Sequence, residues 1–332
     1  MKKITLTLLL AAFLGGCGVK NNEEETSTDS NDDTEETTDS QAENTNKEDA
    51  IPFDEWLESS DLSHKELILP NLDEMNAEEI ITYYRSELEV PEEWISVAYS
   101  DFQTEESFYF RENEVVTAAS TTKVLLAMLY FDLVEAEVLN FDSYIPYDPS
   151  LFQEGGGEIT AAITAGEGQN SYSLESTIKE MIVHSDNTAT YMLRAFYTEN
   201  YAPYNEGMSE VVEDSGYTAD MLEENETTAA LLEETLLALL ENEIYAPIIE
   251  YMRLADEDMY FKYYIEDDMP VKYGLLYELK HHTGIYEIDG EPVYSLVILT
   301  SNLGDEQADE FFGGINLQFA ARARYQNYID NL

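Results

Sequence analysis

Residues 118–123, Ala118-Ala119-Ser120-Thr121-Thr122-Lys123, run directly into the apolar stretch VLLAMLYFDLV. The reading of this junction decides how the rest of the chain is understood. If a helix begins at Ser120, Lys123 lies at i+3 on the same face, and its amine can approach the serine hydroxyl. A helix N-terminus adds free N–H groups and a positive field, which favour negative charge developing on a serine oxygen. A neutral lysine beside such a serine can act as its base. The competing reading makes Ser120 the ordinary N-cap of a buried helix. Spacing alone does not choose, because S-x-x-K arises on the order of once by chance in a chain of this length. A second copy, Ser176-Thr177-Ile178-Lys179, is indeed present.

Two other segments pose the same question. Ser185-Asp186-Asn187, within MIVHSDNTATYM, puts a hydroxyl and an amide on a loop between two helical patterns. All three residue types are also good helix caps. His282-Thr283-Gly284 falls within LLYELKHHTGIYEI, which reads as one strand. There Gly284 lets another backbone approach and Thr283 offers a hydroxyl, whereas the plainer reading is a strand with a bulge.

Working outward, AEEIITYYRSEL has a helical period, and WISVAYSDF and SFYFREN alternate like two strands around QTEE. A helix is expected from Ser120 to about Val138, and the middle of the chain, roughly 140–255, is mostly helical in pattern. Strands return in LLYELKHHTGIYEI and VYSLVILTSN, joined through Asp289-Gly290, and a last helix runs through QFAARARYQNYI. The expected fold class is α+β: the terminal strands share one antiparallel sheet flanked by helices, and the middle forms a mostly helical lobe. A cleft between two such parts is a natural place for chemistry. With no internal repeat and no second linker, residues 51–332 read as one domain.

The chain opens with MKKITLTLLLAAFLGGC. Lys2 and Lys3 precede a short apolar core, and small residues precede Cys17, so residues 1–16 read as a secretion signal too short to span a bilayer. Cleavage before Cys17 and lipidation of its thiol are expected, which anchors the protein on the outer side of a bacterial cell membrane. Cys17 is the single cysteine. An internal disulfide, a thiol nucleophile and a cysteine-based metal site are thereby excluded from the folded part. Residues 17–50 have almost no apolar side chains and are expected to form a disordered acidic tether. The formal net charge is −54; residues 1–50 hold twelve acidic side chains against four lysines, a net of −8, so −46 remains on residues 51–332. Such a surface argues against nucleic acid as a partner, since phosphate binding needs clustered Lys and Arg.

Taken together, S-x-x-K, S-D-N and K-T-G form the motif set of class A β-lactamases and penicillin-binding proteins. All three follow here in that order, with His282 in place of the last lysine, on a helix start, an inter-helix loop and a strand. The surrounding WISVAYSDFQTEESFYFRENEVVTAASTTK and SLESTIKEMIVHSDNTATYMLRAF are similar to the same family. The chain from about residue 78 to 332 thus resembles the β-lactamase-like serine hydrolase superfamily. The resemblance implies Ser120 as the acylated nucleophile and Lys123 as its base or proton relay. It makes Ser185 the donor to the leaving nitrogen and Asn187 a holder of a substrate amide. The N–H groups of Ser120 and Ile285 would form an oxyanion hole, and His282, Thr283 and Gly284 would receive a substrate carboxylate, with Lys280 adding charge. Asp186 would brace its loop. Ser176, only nine residues before Ser185, falls inside the preceding helix and drops out.

The implied substrate is a β-lactam or a peptidoglycan-type amide, handled by a monomer without metal or cofactor. One departure bears on turnover. The family's water-activating glutamate sits on a long loop after the S-D-N helix, whereas here GYTADMLEENE leaves that loop short. Glu223, Glu224 and Glu226 are candidates by position. Without such a base, acylation outruns hydrolysis, as in a penicillin-binding protein of the D-alanyl-D-alanine peptidase type. A non-catalytic envelope-binding module is the remaining alternative.

Overall fold

The computed structural model describes residues 50–332 apart from 213–215, 256–257 and 268; the expected signal, Cys17 and nearly all of the acidic tether lie outside the described residues. The chain forms α1 (Phe53–Ser59), α2 (Ala77–Glu87), β1 (Ile95–Asp101), β2 (Ser107–Phe110), β3 (Val116–Thr117) and α3 (Lys123–Glu135). A mostly helical stretch follows: β4 (Tyr144–Pro146), α4 (Glu158–Thr164), β5 (Ser171–Ser173), α5 (Leu174–Val183), α6 (Asn187–Asn200), α7 (Tyr204–Val211), α8 (Ala219–Glu223), β6 (Glu226–Thr227), α9 (Ala229–Glu241) and α10 (Ala246–Arg253). Then come β7 (Val271–Leu276), β8 (Leu279–Ile288), β9 (Glu291–Thr300) and α11 (Asp305–Asp330). Among the described residues no helix is long and apolar enough to cross a membrane.

The main sheet has five antiparallel strands in the order β2-β1-β9-β8-β7. Successive side chains of a strand point to opposite faces, and here both faces are covered. Val97, Tyr99, Leu296 and Ile298 join the core built with α2 and α11. Ala98, Val297 and Leu299 join the core built with α3, α5, α6 and α9. Two cores explain why β9 reads as a nearly unbroken apolar run rather than an alternating one. α3 is enclosed by the helical lobe, with ten of its thirteen residues buried. A helix that is apolar all round has to be placed this way, and each fully buried Leu or Met on it is worth about 1.5–3 kcal/mol.

The expected α+β class, one antiparallel sheet with a helical lobe, is the fold observed. Two expectations need correction. α3 begins at Lys123, not at Ser120. Ala119 is left-handed at φ 52°, and the Thr121 N–H and hydroxyl both donate to Ala118 O, so residues 118–122 form a turn that presents Ser120 ahead of the helix.

LLYELKHHTGIYEI, moreover, is two strands rather than one. Leu276 pairs with Leu279, leaving Tyr277-Glu278 as a two-residue turn with Tyr277 at φ 55°. The edge of the sheet on this side is therefore β7, and His282-Thr283-Gly284 lies one strand further in, on β8.

Candidate active site

The Ser120 turn is held from three sides. β3 pairs with β6, and the Ala118 N–H donates to Asn225 O at 2.7 Å. Thr122 Oγ1 donates to Asn225 Oδ1 at 3.3 Å. From the sheet, His281 Nε2 contacts Thr117 O at 2.8 Å. His281 Nδ1 lies 3.2 Å from the Thr300 N and 2.9 Å from Lys280 O, and burial pushes the pKa of His281 down, which favours a neutral ring. Gly274 of β7 closes the third side. A Cβ placed there would stand 2.8 Å from Ala118 O, so only glycine lets the edge strand lie against this turn. A left-handed Ala119 costs about 1–3 kcal/mol, a strain that such over-determined packing can hold.

Lys123, the first residue of α3, is buried. Its Nζ lies 2.7 Å from Ser185 O, 2.8 Å from Asn187 Oδ1 and 3.1 Å from Ser185 Oγ. Burial drives the pKa of this amine well below the ordinary lysine value, and the positive charges of Lys272 and Arg194 push the same way against Asp186. A neutral amine has two N–H donors and one lone pair. Ser185 O and Asn187 Oδ1 can take the donors, which leaves the lone pair for a hydroxyl proton. This arrangement can pass a proton between Lys123 and Ser185.

Ser185 is left-handed at φ 53° in the loop between α5 and α6. The loop is braced by Asp186, which is fully buried and caps α6. Its Oδ1 accepts from the Ala189 N–H and Thr160 Oγ1, and its Oδ2 from the Thr160 N–H. The structural role read for Asp186 fits this geometry. Asn187 also donates from Nδ2 to Glu154 O at 3.0 Å. That carbonyl precedes Gly155-Gly156-Gly157, a run that presses on the loop. A Cβ at Gly157, which has φ +97°, would fall 2.3 Å from Asp186 Oδ2. The glycine triplet is the sequence signal for this strap. Ser176 and Lys179 lie exposed on α5, away from this cluster.

The sheet side differs from expectation. His282, Thr283 and Ile285 are all 0–1% exposed. The His282 ring packs 4.4 Å from Phe261 and accepts the Phe261 N–H at Nδ1. The Ile285 N–H donates to Pro270 O at 3.0 Å, which removes it from any oxyanion hole. A Cβ at Gly284 would meet Pro270 O and Val271, not a substrate. Lys280 is paired with Asp305. None of these residues joins Ser120, because β7 stands between β8 and the open edge.

The residues that do reach the edge are Lys272, Tyr273, Gly274 and Leu275. Lys272-Tyr273-Gly274 keeps the lysine and glycine of K-T-G, with tyrosine in place of threonine. Pro270 and Ile285 form a hydrogen-bonded pair, so by the two-residue alternation 272/283, 274/281 and 276/279 are bonded pairs as well. Tyr273 and Leu275 thus turn their N–H and C=O groups outward, toward the side where Ser120 lies. The signal was a K-x-G in a short apolar run; Tyr277 and Glu278, neither a usual turn former, hid the end of that strand.

Glu223 and Glu224 are exposed at the end of α8, and Glu226 is half-buried on β6 opposite Thr117. The side chain from this segment that bonds the nucleophile turn is Asn225, an amide. Arg194, on α6, stacks over Tyr204 at 4.7 Å and contributes positive charge near Lys123.

A model of the beta-lactamase enzyme family matches residues 80–320. The comparison with curated proteins finds no match. Among solved structures, the β-lactamase from Sphaerobacter thermophilus is similar with a TM-score of 0.62 and 17% identity, over 74% of this chain and 97% of that one. PBP-A gives 0.59 and 16%, over 76% and 96%. An ancestral class A β-lactamase gives 0.60 and 17%, over 72% and 98%. At such identities the structural likeness is one of fold, and the family match carries the assignment: this chain belongs to the beta-lactamase enzyme family, as a serine β-lactamase-like hydrolase.

Proposed function

We propose that this protein forms an acyl-enzyme at Ser120 with β-lactams or related envelope amides and releases the acyl group slowly, in the manner of a penicillin-binding protein. The observation that carries acylation is the Lys123 amine, dry, depressed in pKa and bonded to both Ser185 and Asn187. In this reading Ser120 Oγ attacks the carbonyl carbon, and its proton passes to Lys123. Charge on the carbonyl oxygen falls between the N–H groups of Ser120 and Leu275. The C–N bond then breaks, and the nitrogen takes the proton from Lys123 by way of Ser185. Water must later cleave the Ser120 ester to return the free hydroxyl and an acid.

Slow release is supported by the short segment before α9, which bonds the Ser120 turn through Asn225, an amide, and keeps Glu223 and Glu224 exposed. A mutant of PBP-A has been captured as an acyl-enzyme complex with penicillin-G, which makes such an adduct a reasonable target here. The N-terminal signal and Cys17 support a place on the outer face of the membrane, where envelope amides are found.

The test is to incubate residues 50–332 with a chromogenic cephalosporin and follow both colour and protein mass. A stable adduct on Ser120 with little turnover is the expected result. Sustained fast turnover would make the protein an efficient β-lactamase instead. An adduct that persists in Ser120→Ala would remove Ser120 as nucleophile.

A further inference from the structure

Ser120 and the outward amides of β7 belong to different elements, so the distance between them has to be set by groups that join the two. His281, on β8, is such a group. Its ring is 1% exposed, and its Nε2 lies 2.8 Å from Thr117 O, three residues before Ser120. On one side its strand pairs with β7, where Gly274 stands opposite His281; on the other it pairs with β9, where Leu299 does. The same Gly274 lies against Ala118 O. One bond from this imidazole therefore ties the turn to the ladder that carries the Leu275 amide.

The neighbours of the ring say which nitrogen makes that bond. Burial disfavours the charged imidazole, and a neutral ring has one N–H and one lone pair. Thr117 O can only accept, so a ring lone pair 2.8 Å away would set two acceptors face to face. At Nδ1 the Thr300 N–H stands ready as a donor, 3.2 Å away. Lys280 O, near Nδ1, already accepts from Thr300 Oγ1 at 2.6 Å.

We propose that His281 is a positioning residue, which donates its Nε2–H to Thr117 O and so holds Ser120 at the spacing from the Leu275 amide that acylation needs. The ring itself touches no substrate. The inference rests on acylation at Ser120 as proposed above, with the carbonyl oxygen received by the Ser120 and Leu275 amides. Because His281 acts on geometry at the reacting carbon, its loss appears in the acylation rate at saturating β-lactam and not in the half-saturating concentration.

The measurement follows acylation of the protein by benzylpenicillin over a range of concentrations, read by mass spectrometry. Rates are expressed per folded molecule, with the folded fraction taken from circular dichroism. His281→Gln, whose amide nitrogen reaches as far as Nε2, keeps the saturated rate within about threefold of the wild type. His281→Asn, whose amide stops level with Nδ1, lowers that rate by about tenfold or more and leaves the half-saturating concentration within about threefold. A role in stability alone would change how much of each variant folds, and not the rate of the molecules that do. Equal rates in the two variants overturn the inference, as does a change confined to the half-saturating concentration. A second test needs no variant: NMR of the His281 ring nitrogens in the wild type shows the proton on Nε2, and a proton on Nδ1 overturns the inference. If no adduct forms at Ser120, the functional reading fails, while the NMR result still decides whether His281 bonds the turn.

Discussion

Lys123 and Lys272 belong to two walls of the same site, both withdrawn from water, and the structure treats them in opposite ways. The Lys123 amine is met by a carbonyl, an amide oxygen and a hydroxyl, all within 3.1 Å. Lys272 is met by an aromatic face and a backbone carbonyl. The first set contains a hydroxyl, a group that can exchange a proton with the amine. Burial therefore produces two different devices from one residue type. On the helical wall it lowers the pKa of an amine that lies beside a hydroxyl, and Lys272 on the strand wall pushes that pKa the same way. The difference also divides labour by element. Helix starts bring side chains together, whereas the edge strand contributes backbone amides.

The comparison breaks first at Lys123. Lys123→Met should lower the Ser120 acylation rate by about 10²–10⁴-fold, the usual worth of a positioned base. A loss below tenfold would place the base elsewhere. The wild-type rate should rise with pH through the lowered pKa of Lys123, since only the neutral amine accepts the serine proton. Stability carries the same sign. The unfolded chain holds a proton on this lysine up to its ordinary value, while the folded one has already released it. The cost of charging the buried amine is complete below the folded pKa and fades as pH climbs to the unfolded value. Urea midpoints of the wild type should accordingly rise with pH relative to Lys123→Met across that window.

On the strand wall the two glycines make the sharper contrast. Gly274→Ala would drive a methyl group against Ala118 O, displacing the Ser120 turn from the edge amides. Acylation per folded molecule should fall by about 10²-fold, the cost of roughly 1 Å of misplacement. Gly284→Ala meets Pro270 O at a similar distance and should destabilise the sheet by about 1–3 kcal/mol. Yet the molecules that remain folded should acylate nearly as before. Equal kinetic effects in the two variants would put β8 back into the site.

That pair of glycines also marks where sequence reading succeeded and where it failed. Lys123, Ser185 and Asn187 meet in the structure, and each carries a local mark in the sequence, a short motif beside a strong helical pattern, although the contacts between them are long-range. Even so, Ser120 belongs to a turn and not to the helix, since the left-handed Ala119 has no signature in an alanine. The motif on the sheet was assigned to the wrong strand. HTG matched K-T-G in two of three letters, as does KYG, and only strand order tells which of them is at the edge. Asn225 and Arg194 were beyond reach for another reason. Asn225 is placed by a short loop that packs against the Ser120 turn, which no local pattern encodes, and Arg194 lies two turns along α6 from Asn187 in a helix that gives it no motif of its own.

The misreading traces to one turn, and the smallest prediction tests it. Two hairpins flank β8, both closed by two residues. Asp289-Gly290 has φ of 54° and 83°, a turn whose chemistry is written in its residues. Tyr277-Glu278 makes the same connection with Tyr277 at φ 55°, a conformation that costs a side-chain-bearing residue about 1 kcal/mol or more. Only Tyr277 of this pair has a positive φ, so replacing Tyr277-Glu278 by Gly-Asn should raise stability by about 1 kcal/mol in urea titration, with the β7 edge and the acylation rate of Ser120 little changed. If stability fell instead, Tyr277 would be contributing contacts that outweigh its backbone strain. Its 92% exposure argues that such contacts within the domain are few.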